Sequence, residues 1–123
     1  MKMTSAIAQL RTTDLAKSID FYTNKLGLEL AFRFEDFYAG VRAGEQMVHL
    51  KLVDTKDPSI GDVRNGEHFH LYLTTDDVDA AAAAVKSAGV KVVRDVQATP
   101  WQTREFVIED DQGHTLYVGQ DGG

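Results

Sequence analysis

One sequence plan occurs twice in this chain of 123 residues, and the repeat constrains the fold more than any other feature. Residues 11–30, RTTDLAKSIDFYTNKLGLEL, and residues 72–92, YLTTDDVDAAAAAVKSAGVKV, each leave a strand and reach Thr-Thr-Asp. Threonine and aspartate cap helix N-termini well, and apolar residues then recur at helical spacing. Gly27 and Gly89 lie equally far beyond Asp14 and Asp76. Each glycine is expected to end its helix in a left-handed conformation.

The remainder of each half predicts three strands, over residues 28–34, 38–43 and 46–53, then 90–96, 104–109 and 114–119. The chain therefore reads as two βαβββ modules, about 5–53 and 67–119. A polar linker, 54–66, is expected to be a surface loop. We expect an α+β fold in one domain, 1–123, with antiparallel pairing within each three-strand run. Because each module has one sheet face without a cover, two halves or two chains must combine.

Composition excludes several classes of protein. The absence of cysteine excludes disulfides, thiolate metal sites and a cysteine nucleophile. A net charge of −6, from 13 basic and 19 acidic residues, argues against a nucleic-acid partner. No apolar run approaches the ~20 residues of a membrane span, so no membrane partner is expected. The N-terminus lacks the apolar core of a signal peptide, which predicts a cytoplasmic location.

Strand alternation predicts a face of amphipathic side chains in each module. The apolar positions, expected to pack on the helices, are Val48, Leu50, Leu52, Phe69, Leu71, Leu73, Leu116 and Val118. The alternate positions carry histidine, tyrosine and lysine: His49, Lys51, His68, His70, Tyr72 and Tyr117. These residue types favour curled mixed sheets around a half-wet cavity, and an ordinary exposed sheet face is the alternative.

The paired modules resemble the vicinal oxygen chelate superfamily, which includes glyoxalases, dioxygenases and bleomycin-resistance proteins. The segments TSAIAQL, DLAKSIDFYTNKLGL, EDFYAGV and TPWQTREFVIEDDQGHTLYVG are most similar to the bleomycin-resistance branch. This resemblance implies a homodimer whose cavities sequester a planar, heteroaromatic small molecule, such as an antibiotic. The residues expected to bind it are Phe32, Tyr38, His49, Lys51, His68, His70, Tyr72, Trp101 and Tyr117. Lys51, a cation on the expected cavity face, would oppose a cationic drug.

The same resemblance leaves an enzymatic alternative open. Metal enzymes of the superfamily place four ligands at positions that correspond here to Ile7, His49, His68 and Tyr117. Isoleucine cannot ligate a metal, and two imidazoles bind divalent ions weakly, so we expect no metal and no cofactor. The histidines would then line the ligand cavity. The alternative is a metal-dependent glyoxalase-like lyase, dioxygenase or thiol transferase that uses His49, His68 and a possible third nitrogen from His70.

Other candidate chemistry is sparse. No Gly-x-Ser-x-Gly elbow or other nucleophile motif occurs. Asp110 and Asp111 precede Gln112 and Gly113, which is typical of a hairpin turn rather than an acid–base pair. His114 follows this turn and is expected to face solvent. The sequence shows no further sign of catalysis.

Overall fold

The structure is a computed structural model that describes residues 1–121. Gly122 and Gly123, the end of the expected domain, lie outside these residues. The backbone divides into two compact units, Met1–Asp57 and a second unit that begins at Pro58. No helix in the described part is long and apolar enough to cross a membrane.

The first unit is a βαβββ module. Its elements are β1 (Ala8–Thr12), α1 (Leu15–Asp20), a π-helical turn (Phe21–Lys25), β2 (Glu29–Phe34), β3 (Tyr38–Ala43) and β4 (Gln46–Leu52). The four strands form one sheet in the order β1-β4-β3-β2. β1 pairs with β4 in parallel, and the β2–β3–β4 run is antiparallel. The predicted α+β module is thus confirmed.

The first helix begins and ends where the sequence predicts, but its last turn is wider. The Asp14 side chain accepts a hydrogen bond from the Lys17 amide at 3.1 Å, which caps the N-terminus. The Leu26 amide then donates to the Phe21 carbonyl, five residues back, which is the π-helical spacing. Gly27 closes the segment at φ 75°, the left-handed conformation expected of it.

The second unit repeats the module and adds a short helix. Its elements are α2 (Ser59–Asn65), β5 (Leu71–Thr74), α3 (Val78–Ser87), β6 (Val92–Ala98), β7 (Thr103–Glu109) and β8 (Thr115–Asp121). The sheet order is β5-β8-β7-β6, with β5 and β8 parallel and the β6–β7–β8 run antiparallel. Neither sheet closes into a barrel, because β1 does not pair with β2, nor β5 with β6, among the described residues.

Two local predictions in this unit are wrong. The linker is not a loop throughout, because α2 occupies most of it and buries Ile60. Ile60 is the residue of α2 that becomes buried, and a single buried apolar position is too weak a pattern to predict so short a helix. The N-terminus of α3 is capped by Asp77, whose side chain accepts from the Ala80 amide at 3.0 Å, rather than by Asp76. Two successive aspartates made the cap ambiguous by one residue.

Each sheet has one face packed against α1 or α3 and an opposite face that these two helices leave uncovered. In the second unit the short helix α2 contacts β8, and its Arg64 bonds to Glu109 at the end of that opposite face. In the first unit, α1 packs on β3 and β4 over Leu10, Ala39, Val41, Val48 and Leu50. In the second, α3 packs on β6, β7 and β8 over Phe106, Ile108, Leu116 and Val118. The opposite surfaces are called here the first and second helix-free faces. They carry the predicted amphipathic side chains of β4 and β8.

Candidate ligand-binding faces

Three aromatic rings form a cluster on the first helix-free face. Phe32 stacks on Tyr38 with ring centroids 6.3 Å apart and an interplanar angle of 12°. The His49 imidazole stands edge-on to both rings, at 5.3 Å from each. These offset and edge-on arrangements are the favourable geometries of aromatic pairs. We call Phe32, Tyr38 and His49 the first aromatic cluster, and all three were expected from the sequence to contact a ligand.

Hydrogen bonds and a glycine hold the first aromatic cluster in place. Gln9 Nε2 donates to the Tyr38 hydroxyl at 3.0 Å, and that hydroxyl lies 2.9 Å from His49 Nδ1. Gly40 lies beneath Phe32, and a Cβ at this position would collide with the ring. The absent side chain therefore lets the ring lie against the strand. These contacts restrict the orientations of the three rings.

A second aromatic cluster lies on the second helix-free face. Phe69 contacts Tyr72 and Tyr117 at centroid distances of 5.7 and 5.2 Å, and the two tyrosines are 6.2 Å apart. The Tyr72 hydroxyl lies over Gly119, where a Cβ would collide with it. Phe69, Tyr72 and Tyr117 are named the second aromatic cluster. Tyr72 and Tyr117 were predicted here, whereas Phe69 was assigned to the packing face and is instead 48% exposed.

A carboxylate buried on the second helix-free face was not anticipated. Glu105 is only 3% exposed and accepts a 2.7 Å hydrogen bond from the Tyr72 hydroxyl. The Arg94 guanidinium lies 3.6 Å from the same carboxylate and 5.4 Å from the centre of the Tyr117 ring. Burial and the adjacent Glu105 charge raise the pKa of the Tyr72 phenol above its usual 10.0. Strand alternation could have revealed this site, because Phe106 packs against the helix and Glu105, the residue before it, must then point to the opposite face.

The two histidines of the GEHFHLYL segment do not share a face, so the predicted alignment is wrong. β5 begins only at Leu71. Before it, the chain is still leaving α2, with the His68 amide bonded to the Val63 carbonyl and Glu67 at φ 57°. Strand alternation therefore does not extend to residues 68–70. His68 is exposed, while Phe69 takes the place on the helix-free face that His70 was expected to fill.

The His70 ring is held by contacts away from the aromatic cluster. Its Nδ1 accepts from the Thr115 amide at 3.2 Å, so a neutral ring carries its proton on Nε2. That nitrogen lies 3.1 Å from the Ser59 hydroxyl. The ring also packs edge-on against His114, at 4.7 Å between centroids. His70 therefore joins α2 to the β7–β8 turn.

His114 is buried, contrary to the expectation that it faces solvent. It is 1% exposed, and its Nδ1 lies 2.7 Å from Asp110 Oδ2. Asp110 Oδ1 accepts from the amides of Gln112, Gly113 and His114 at 2.8–3.0 Å. Asp110 thus organises the predicted turn. The same carboxylate also pairs with an imidazole, which turn chemistry alone did not reveal.

Trp101 lies in the turn between β6 and β7 and is 68% exposed. In the part of the chain that the structure describes, its indole has no ring partner and no hydrogen bond. A hydrogen bond closes this turn: the Thr99 hydroxyl accepts from the Thr103 amide at 3.1 Å. Gln102, next to the indole, has a left-handed φ of 67°. The indole is therefore largely open to solvent.

The four residues that the resemblance assigned to metal-ligand positions are a poor donor set for a metal ion. Ile7 offers no donor atom, and the Tyr117 phenol belongs to an aromatic cluster beneath Arg94. One nitrogen of His49 is bonded to Tyr38. Among residues 1–121, no group of three or more histidine, aspartate or glutamate side chains is arranged to hold a metal ion. Only His49 and His68 supply ordinary ligands at these positions.

The second unit also contains a cleft. It has a volume of about 420 Å³ and is lined by Thr74, Thr75, Asp76, Gln120 and Asp121. The Gln120 side chain accepts from the Val78 amide at 2.8 Å, so it serves the N-terminus of α3. None of the residues expected to bind a ligand lines this cleft.

Comparison with curated proteins gives relatives at low identity. A lactoylglutathione lyase of Neisseria meningitidis serogroup A is 32% identical over 117 residues, covering 87% of this chain and 83% of that protein. A putative glyoxylase of Mycobacterium tuberculosis, CFP32, is 32% identical over 83 residues. That match covers 63% of this chain but spans only 31% of the length of CFP32.

Solved structures and a family model agree on the fold. The bleomycin-binding protein from Streptomyces verticillus, in complex with copper(II)-bleomycin, superposes with a TM-score of 0.70. The sequences are 22% identical, and the match covers 100% of this chain and 98% of the other. The model of the Glyoxalase/Bleomycin resistance protein/Dioxygenase superfamily matches residues 5–118. The two βαβββ units, the aromatic helix-free faces and this match together place the chain in the glyoxalase/bleomycin resistance protein/dioxygenase superfamily.

Proposed function

We propose that this protein binds a planar, heteroaromatic small molecule and withdraws it from solution, in the manner of the bleomycin-resistance branch. The observation that carries the proposal is the first aromatic cluster, whose rings are partly exposed. Tyr38 and His49 are held by hydrogen bonds, and Phe32 lies in the space over Gly40. Exposed rings that are ordered in advance favour stacking with a flat ligand. The second aromatic cluster supports the same role in the second unit. Trp101 is proposed as a further contact, and a homodimer as the assembly.

Loss of one stacking ring should weaken binding without unfolding the protein. A thermal-shift screen of metal-bound bleomycins and other planar antibiotics would supply the ligand. Phe32→Ala is then expected to cost ~1–3 kcal/mol of binding free energy, roughly 5- to 150-fold in affinity. Calorimetric titration of the ligand into each variant measures the change.

A matched control lies on the same strand. Leu30 pairs with the buried Val41 and so lies on the helix side of the sheet. Leu30→Ala should therefore leave the affinity within about twofold of the parent. Equal losses in Leu30→Ala and Phe32→Ala would show that the first helix-free face is not the binding surface.

The second candidate function is a metal-dependent lyase. Its support is the 32% identity to proteins named lactoylglutathione lyase over most of this chain. His49 and His68 would be the protein ligands in that case. The donor set, with isoleucine and tyrosine at the other two positions, favours the binding function instead.

Metal analysis separates the two functions. We expect protein purified without added metal to hold far less than one equivalent of Zn, Ni, Mn or Fe per chain, because two imidazoles alone bind these ions weakly. Elemental analysis after gel filtration gives the ratio. About one tightly held ion per chain, lost in His49→Ala or His68→Ala, would contradict this expectation and favour the metal-dependent enzyme.

A further inference from the structure

Two cations stand side by side on the first helix-free face. Arg11 on β1 and Lys51 on β4 are direct neighbours in the parallel register, and both are exposed. Neighbouring strands are only ~4.8 Å apart, so the two side chains share one patch of surface. Among residues 1–121, no carboxylate pairs with either of them. Like charges on directly opposed strand positions destabilise a sheet, and this pair lies in a chain with a net charge of −6.

The cations and the first aromatic cluster form one continuous surface. Lys51 is also the register partner of Tyr38 on β3. Across the sheet, one row therefore runs Arg11, Lys51, Tyr38. The adjacent row runs Gln9, His49 and then Gly40, over which Phe32 lies. Aromatic rings thus lie at one end of the surface, and the two positive charges lie at the other.

His49 adds a donor between the two ends. Because Gln9 donates to the Tyr38 oxygen, we assign the phenol proton to the hydrogen bond with His49 Nδ1. The neutral imidazole then carries its own proton on Nε2. This nitrogen has no hydrogen-bond partner within residues 1–121. It therefore offers an N–H to a ligand beside the cations.

We infer that the first helix-free face binds a planar aromatic anion. Its ring stacks on Phe32 and Tyr38, and its carboxylate or sulfonate reaches Lys51, Arg11 and His49 Nε2–H. The inference rests on the proposed function and adds the charge of the ligand to it. A cationic ligand would instead bring a third positive charge to this patch, which is unfavourable.

Three probes of nearly equal shape test the charge preference. They are 2-naphthoate, an anion, 2-naphthamide, which is neutral, and 2-naphthylmethylammonium, a cation. In calorimetric titrations at about 0.01 M ionic strength, we expect naphthoate to bind at least about fivefold more tightly than the amide. The ammonium should bind more weakly than the amide. At about 1 M salt the preference should largely disappear, because the screening length falls to about 3 Å.

Charge-neutralising variants locate the effect. Arg11→Gln with Lys51→Gln should abolish the preference, so that the variant binds naphthoate and naphthamide with about equal affinity. The control variant, Lys17→Gln with Lys25→Gln, removes the same charge from exposed positions on the helix segment and should keep the preference. Circular dichroism checks that each variant is folded.

The outcomes separate this inference from the proposed function. If all three probes bind equally and Phe32→Ala weakens all of them, the aromatic binding function stands and the anion preference is wrong. A tighter ammonium also contradicts the preference. If no probe binds at about millimolar concentration, where even weak sites are occupied, both the aromatic binding function of this face and the inference fail.

Discussion

Asp110→Ala is expected to lower the free energy of unfolding by roughly 3–5 kcal/mol. One carboxylate oxygen accepts three backbone amides of the β7–β8 turn, and the other pairs with the buried His114. Alanine leaves these donors without an acceptor in a buried turn. Typical total stabilities are only about 5–15 kcal/mol, so much of the margin would be lost.

Urea denaturation followed by far-ultraviolet circular dichroism measures this change. Asp110→Asn is the matched variant, because its amide oxygen still accepts the three backbone N–H groups. It should lose less stability than Asp110→Ala. The difference between the two variants reports the three amide bonds, and the loss that remains in Asp110→Asn reports the pairing of the carboxylate with His114. A loss below about 1 kcal/mol in the alanine variant would show that water replaces the carboxylate and that the turn does not depend on it.

Glu105→Ala is expected to lower the free energy of unfolding by roughly 2–4 kcal/mol. Its side chain is buried on the second helix-free face, where it accepts from Tyr72 and lies beside Arg94. Alanine removes the packed methylenes, the acceptor and the charge together. Arg94 is partly exposed and recovers hydration, so the loss is smaller than that of a fully buried pair. Glu105→Gln, which keeps an acceptor for Tyr72, should retain more stability.

The same variant should change how Tyr72 titrates. Burial is the main cause of its raised pKa, and Glu105 adds to it, so Glu105→Ala should lower the pKa part of the way toward 10.0. Because the folded state holds this proton more tightly than the unfolded chain, the parent should lose stability as the pH rises through about 10. That loss should be shallower in Glu105→Ala and in Tyr72→Phe.

Ultraviolet difference titration at the tyrosinate band reports the pKa, with Tyr72→Phe used to assign the signal. Denaturation at several alkaline pH values reports the stability. An unchanged tyrosinate curve in Glu105→Ala would mean that the carboxylate does not influence the phenol, and that burial alone accounts for its pKa.

Ligand affinity and stability are expected to respond to different residues in this protein. Phe32 and Lys51 lie on the exposed part of the first helix-free face, so their loss should weaken binding more than folding. Asp110 and Glu105 are buried, so their loss should act first on folding. Comparing the two sets of variants therefore distinguishes a direct contact with the ligand from an indirect effect of a destabilised sheet.

Much of the architecture could be predicted from the sequence because its signals are local. A cap such as Asp14, a left-handed glycine such as Gly27 and alternating apolar positions act over a few neighbouring residues. The internal repeat then applied the same prediction to both halves. Alternation also placed His49 and Lys51 on one face of a sheet, because both lie within the regular strand β4.

The sequence could not reveal contacts that depend on the register between distant segments. Glu105 meets Tyr72 across an intervening strand, and Phe32 lies over Gly40 only because a β-bulge shifts the pairing of β2 with β3. His70 departs from alternation because it precedes its strand, and it reaches His114 through packing of α2 and the β7–β8 turn. Periodicity in the sequence determined which side of a strand a residue takes. Tertiary packing decided where each strand begins and which side chains meet. The physical reason is that these side-chain contacts join residues far apart in the chain.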